Sequence, residues 1–213
     1  MDLVPAPQRQ AVLDAVAKDV RARGNALTAG DVGYRYLLRA LAEGGCSDVI
    51  FDINNQSEKP GYGYQLKQGA TSLTEAWDAG RGSSQNHFML GQIMEWFYHD
   101  LAGIRCDPDG PGFRKIVIRP TVTGDLSSVN CSYESIHGPI VSNWKRERDR
   151  FTLDVAIPAN TTATVHVPAK QPRLVREGDS PANRSQGVKY LRQEAGAAVY
   201  RVGSGRYRFE SEL

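Results

Sequence analysis

LAGIRCDPDGPGFRKIVI (residues 101–118) divides the chain into two textures. On its N-terminal side apolar residues recur at helical spacing; on its C-terminal side short alternating runs are separated by turn residues. Its middle, Asp107-Pro108-Asp109-Gly110-Pro111-Gly112, is turn chemistry throughout, and residues 105–112 read as an interdomain linker. The predicted organisation is an α+β multidomain chain, helical over 1–104 and β over 113–213.

Working back from the linker, a helix is expected from Ser84 to Leu101, burying Phe88, Ile93, Trp96, Phe97 and Leu101. Lys59-Pro60-Gly61-Tyr62-Gly63-Tyr64 reads as a break that no helix tolerates. Before it, Ser47 is placed to cap a short helix holding Val49, Ile50 and Ile53. Asp31 to Glu43 presents Val32, Tyr36, Leu37, Ala40 and Leu41, and stops at Gly44-Gly45. Asp31 itself reads as an N-cap. Pro7 to Arg23 places Val12, Val16 and Val20 on one stripe with Ala15 beside them. Short antiparallel helices with Gly-rich connections suit an array of helical hairpins. So few helices leave faces needing cover, and an upstream part is expected to supply it.

Forward from the linker, strands are expected at Lys115–Ile118, Asn130–Ser135, Ile140–Arg146, Phe151–Ile157 and Thr162–Val167. Val188–Arg192, Ala198–Val202 and Tyr207–Glu210 follow. Phe151, Leu153, Val155 and Ile157 show the period of two that marks a half-buried strand. Short strands divided by frequent turns predict an antiparallel β-sandwich. Lys145-Arg146-Glu147-Arg148 reads as a solvated hairpin end.

A net charge of +2 gives no electrostatic reason to expect a nucleic acid or a membrane surface as partner. No stretch approaches the ~20 apolar residues that cross a bilayer. Met1-Asp2-Leu3-Val4-Pro5 lacks the basic start and apolar core of a signal peptide, which favours the cytoplasm. Were the chain part of a longer one, a targeting signal would lie upstream. Cys46, Cys106 and Cys131 are odd in number and widely spaced, so neither a disulfide framework nor a zinc ribbon is expected. They read as small buried or half-buried thiols. No metal site and no cofactor is predicted, although a calcium site of scattered carboxylates stays open. His87 and His99 are too far apart along one expected helix to share an ion. The sequons at Asn55, Asn130, Asn160 and Asn183 carry no weight without secretion.

The chemistry concentrates between Gly61 and Gly91, where Tyr62, Tyr64, Glu75, Trp77, Asp78, Asn86 and His87 fall close together. Aromatic rings cover the apolar faces of a pyranose while carboxylates and amides meet its hydroxyls. Glycoside hydrolysis needs two carboxyl groups, and Glu75 is the best single candidate. Asp78, three residues on, is expected on the same helix face. Two carboxylates that close on one helix do not make an inverting pair, which straddles the sugar at roughly 6.5–9.5 Å. Each residue also has a plainer reading: Glu75 a solvated helix residue, His87 a structural histidine, Trp77 and Trp96 core.

Five ordered motifs carry a resemblance. They are LTAGDVGYRYLL (27–38), GYGY (61–64), GATSLTEAWD (69–78), SQNHFMLG (84–91) and EWFYHDLAGI (95–104), followed by FRKIVIRP (113–120). In this order and spacing the chain resembles the C-terminal portion of the glycoside hydrolase family 78 bacterial α-L-rhamnosidases. The resemblance implies a catalytic (α/α)6 toroid, of which residues 1–103 supply the last few helices, and a C-terminal β-sandwich packed against it. Glu75 then stands where the family has its general base. His87 and Trp77 would line the rhamnose pocket, with Tyr64, Asn86 and Tyr62 beside them. Two departures bear on leaving-group preference: Gly61-Tyr62-Gly63-Tyr64 replaces a Ser-Trp-Gly-Tyr turn, and Thr74 stands where the family often has Trp before the glutamate. The family's general acid lies in an acidic motif upstream of everything here, and none precedes residue 27.

The resemblance implies inverting hydrolysis of terminal α-L-rhamnose, with this chain supplying the base half and inactive alone. Its expected partners are a rhamnose-containing saccharide or glycoside and either a missing N-terminal part of the same enzyme or a second copy. The isolated chain is expected to associate, to unfold in part or to need that partner, because uncovered helix faces cost about 25 cal/mol per Å². A non-catalytic carbohydrate-binding or accessory protein is the alternative. Another toroid enzyme, a different glycosidase or a lyase using Tyr62 or His87, is a third.

Overall fold

The computed structural model describes residues 4–194 and 196–213. The first three residues of the Met1–Pro5 segment read above lie outside them. Two compact units divide the chain, one ending at Trp96 and the other running Phe97–Leu213.

The first unit holds α1 (Arg9–Ala22), α2 (Asp31–Glu43), α3 (Ser47–Asn54), α4 (Tyr62–Lys67) and α5 (Ile93–Trp96). α2 matches its expected bounds and ends before Gly44. Its buried face, however, is Tyr34, Leu38 and Leu41. Val32 and Tyr36, read as core, are 68% and 69% exposed. α2 carries apolar residues on more than one face, so periodicity alone could not choose between them. In α1 likewise Ala17 and Val20 are buried while Val12 and Ala15 face solvent. Ser47 is the first residue of α3 and a buried one, and Cys46 takes the N-cap position. The Trp96 indole N–H donates to the Ser47 hydroxyl at 3.3 Å.

Two local expectations are corrected. The 59–64 break contains the start of α4. Gly63 is not a helix breaker here: a Cβ at that position would lie 2.3 Å from the Gln56 carbonyl oxygen, so the missing side chain lets the helix touch the preceding loop. The long helix from Ser84 is also broken. Residues 84–87 are irregular, Phe88–Gln92 is a 3-10 turn, α5 is four residues, and a π-helical turn, Phe97–Leu101, opens the second unit. Phe88 is 85% exposed rather than core.

The second unit is a β-sandwich. Its strands are β1 (Ile104–Cys106), β2 (Lys115–Ile118), β3 (Ser128–Ser135), β4 (Gly138–Glu147), β5 (Arg150–Ile157) and β6 (Thr162–Pro168). β7 (Arg176–Glu177), β8 (Ser180–Pro181), β9 (Val188–Glu194), β10 (Ala197–Val202) and β11 (Gly205–Glu212) follow. One sheet runs β1-β2-β6-β10-β9 and the other β3-β4-β5-β11-β7-β8. Pairing is antiparallel except between β2 and β6. All eight expected strands are present, each within a few residues of its predicted bounds.

Residues 105–112 are not a linker. Arg105 and Cys106 pair with Val117 and Ile116, and residues 107–114 form the hairpin loop between β1 and β2. The Asp107 carbonyl and carboxylate accept the Gly110 and Asp109 N–H groups at 2.9 Å each. A tight hairpin loop and a linker draw on the same Pro, Gly and Asp, which is why composition misassigned it. Cys106 is exposed, not buried as read, and all three thiols are free.

The sandwich core is built by alternation. Ile116, Ile118, Val165, Val167, Tyr200 and Val202 face inward from one sheet; Ile140, Trp144, Phe151, Leu153, Val155 and Phe209 do so from the other. Two polar side chains caught in it are satisfied. The Trp144 indole N–H donates to the Leu101 carbonyl at 2.8 Å, and the Ser142 hydroxyl to the Ala102 carbonyl at 2.6 Å. Gly103, at φ +76°, makes the turn between that π segment and β1, where a Cβ would meet the Arg119 backbone at 2.2 Å. His166 is buried beside Glu194, its Nδ1 3.3 Å from the carboxylate, and burial pulls its pKa down to about 4.

Candidate active site in the helical unit

Every site residue expected from the sequence lies in the first unit, on α4 and the loops between α4 and α5. Two strips of that loop run side by side. The Glu75 N–H donates to the Ser84 carbonyl at 2.9 Å, and the His87 N–H to the Leu73 carbonyl at 2.7 Å. The Ser84 N–H in turn donates to Glu75 Oε2 at 3.0 Å. One carboxylate oxygen is therefore tied to backbone, in an otherwise exposed side chain. Two of the candidates named from the sequence, Glu75 and His87, are brought onto adjoining strips.

Residues 75–78 are not helical, so the shared helix face expected for Glu75 and Asp78 does not exist. Asp78 Oδ1 instead accepts the Gly80 N–H at 3.0 Å and shapes the turn.

Gln65, on the buried side of α4, was missed by sequence reading. Its amide nitrogen donates to the Thr74 and Ala76 carbonyls at 3.1 and 3.3 Å, the residues flanking Glu75. A buried glutamine bonded on both sides of one residue fixes the backbone there. Its only sequence signal was a polar residue one turn into a helix that the sequence reading did not expect.

Trp77 and Tyr62 form an aromatic cluster with Tyr34, ring centroids 5.0–6.1 Å apart and all edge-to-face. Trp77 is buried and its indole N–H donates to the Ala29 carbonyl at 2.7 Å. The Tyr62 hydroxyl donates to the Leu90 carbonyl. Burial pushes the Tyr62 phenol up to about 12, and Tyr34 still further. These rings act as a wall behind the loop. Tyr64 is half-buried and Asn86 exposed.

Asp31 is the second residue the sequence undervalued. Gly30 is the N-cap of α2, so Asp31 stands inside the helix. Its Oδ1 accepts the Val32 N–H at 2.8 Å, and its Oδ2 lies 3.1 Å from His87 Nε2. The bond to His87, then that from Val32, holds its carboxyl below the usual carboxylate range. Gln92 adds a bond from its amide to the Asp31 carbonyl at 2.9 Å. The partners are 56 residues apart in the chain, so no local pattern announces the pair. Among the described residues no cluster of His, Cys, Asp and Glu has the arrangement of a metal site, and no helix is long and apolar enough to cross a membrane.

Comparison with known proteins accounts for both units. Residues 1–101 match the bacterial alpha-L-rhamnosidase 6 hairpin glycosidase domain, and residues 103–180 the bacterial alpha-L-rhamnosidase C-terminal domain. An alpha-L-rhamnosidase of Streptomyces avermitilis is 34% identical over 98% of this chain and 20% of its own length. One of Formosa agariphila is 24% identical over 99% of this chain and 24% of its own. Among solved structures, the Streptomyces avermitilis alpha-L-rhamnosidase complexed with L-rhamnose superposes with a TM-score of 0.87 at 33% identity, over 98% of this chain and 20% of that one. The alpha-L-rhamnosidase from Dictyoglumus thermophilum gives 0.87 at 33% identity, over 100% of this chain and 24% of that one. The chain thus spans 20–24% of the length of these relatives.

Proposed function

Because the chain belongs to the bacterial α-L-rhamnosidase family, we propose that it contributes the general-base half of an inverting glycosidase site for terminal α-L-rhamnose. The helical unit is a portion of the family's six-hairpin toroid, and the β unit is its C-terminal domain. The observation that carries the proposal is the setting of Glu75. Its backbone is pinned by Gln65 from behind and by Ser84 from the side, while its carboxylate stands at the surface of the loop. A base must be positioned before it can act, and this one is.

In the proposed reaction Glu75 accepts a proton from water as the water oxygen attacks the anomeric carbon. The glycosidic oxygen departs with a proton from a general acid on the opposite face. His87 and Asn86 meet sugar hydroxyls; Tyr64 closes the side; Trp77 and Tyr62 hold the wall. Asp31 at the start of α2 and Asp78 in the loop are engaged with His87 and with Gly80. The family resemblance sets the general acid upstream of these residues, and we assign it to a partner segment. The exposed Val32, Tyr36, Phe88 and Met94 give that segment an apolar surface to cover. We assign the surface to the upstream part of the toroid, with a second copy of this chain as the competing occupant.

The test is complementation. The purified chain alone is expected to give no turnover of an aryl α-L-rhamnoside, and to gain it on assembly with a separately expressed upstream toroid segment. Turnover by the pure chain, lost in Glu75→Gln, would contradict the half-site. The engagement of Asp31 and Asp78 also suits a binding-only role. Saturable rhamnose binding with no turnover in the assembled state would select that reading.

A further inference from the structure

His87 is held at three points. Its N–H donates to the Leu73 carbonyl, its own carbonyl accepts the Leu90 N–H at 3.2 Å, and its Nε2 meets Asp31 Oδ2 at 3.1 Å. The side chain is 20% exposed, that of Asp31 34%. An ionised carboxylate can only accept. The ring nitrogen facing it, Nε2, is therefore the one that donates, and Nδ1 is the nitrogen left over for another partner. Asp31 is in turn fixed twice, by the Val32 N–H on its other oxygen and by Gln92 on its backbone carbonyl. Swinging the carboxylate away from the ring would cost it the Val32 N–H as well.

We propose that Asp31 is a positioning residue for the sugar site, fixing the His87 ring with Nε2 toward its carboxylate so that Nδ1 is presented to a sugar hydroxyl. This rests on the reading of the loop as a rhamnose site. It adds to that reading a second layer in which α2, an element with no direct part in the chemistry, sets the polarity of the group that meets the sugar. Orienting partners of this kind govern which nitrogen of a histidine is protonated wherever the ring must make a directed bond.

The experiment is 15N-histidine NMR on the full chain, with rhamnose titrations of wild type, Asp31→Asn, His87→Ala and the double variant. Wild-type His87 is expected to be protonated on Nε2 with a bare Nδ1. Asp31→Asn keeps an oxygen for the Val32 N–H but turns an NH2 toward the ring. It is expected to move the proton to Nδ1 and to weaken rhamnose binding roughly 10-fold with thermal stability retained. The double variant is expected to bind no more weakly than His87→Ala alone, since Asp31 acts through the ring. Should Asp31→Asn fail to fold, Asp31→Ser retains an oxygen for the Val32 N–H but falls short of His87, and serves for the same titrations.

A His87 ring protonated on Nδ1 in the wild type overturns the proposal. So does an Asp31→Asn chain that keeps the wild-type tautomer and affinity, or an Asp31 loss that adds in full to that of His87→Ala; in each case rhamnose binding survives as the reading of the site. A folded wild type with the expected tautomer but no rhamnose binding overturns the presentation of Nδ1 to a sugar together with that reading. NMR and titration thus separate the two failures.

Discussion

Glu75→Gln, introduced into this chain and assembled with the upstream toroid segment, is expected to lower rhamnoside hydrolysis by roughly 10²–10⁴-fold while leaving rhamnose affinity within about threefold. The amide is close to isosteric with the carboxylate and can still accept the Ser84 N–H that Glu75 Oε2 now receives. The loop therefore keeps its shape. What is lost is the ability to take a proton from water, a contribution made in the transition state and not in the ground state. A fall in kcat with little change in KM, measured on an aryl rhamnoside, is the signature. A rise in KM with kcat unchanged would instead make Glu75 a binding residue and move the base elsewhere.

Trp144→Ala is expected to be the most damaging single substitution in the β unit, at about 3–5 kcal/mol in denaturant unfolding. Trp144 is 1% exposed and stands against Phe151, ring centroids 6.0 Å apart. Truncation opens a large cavity between the two sheets. It also strips the Leu101 carbonyl of the indole N–H that satisfies it in the core. Trp144→Phe restores most of the volume but not the donor, so it is expected to recover only part of the loss. The difference between the two variants measures the hydrogen bond apart from the packing.

The β unit was most legible where a strand is buried on one face, as β5 is, because burial there writes a period of two into the sequence. Phe151, Leu153, Val155 and Ile157 are buried, while Thr152, Asp154 and Ala156 between them are not. The short β1 was lost inside a Pro- and Gly-rich stretch that hairpin loops and linkers share. The helical unit was harder to read. α2 carries apolar residues on two faces, and the choice of Tyr34, Leu38 and Leu41 over Val32 and Tyr36 depends on where α3 and α5 sit. α4 was hidden by Gly63, whose missing side chain serves a contact with Gln56 that no local rule foretells.

The candidate site was legible as a composition and not as a geometry. Glu75 and His87 could be singled out because carboxylate, imidazole and rings crowd one loop. Asp31 and Gln65 act on that loop from helices 56 and about 10 residues away in the chain. Their roles exist only once the chain is folded. The sequence marked the proposed ligand-facing groups more clearly than the residues bonded to them.

The most direct test of the account is a rhamnose titration of the purified chain, followed by tryptophan fluorescence, with His87→Ala alongside. The account predicts saturable binding, weakened roughly 10-fold in His87→Ala. A cooperatively folded chain that binds no rhamnose, or binds it equally well in His87→Ala, would contradict it.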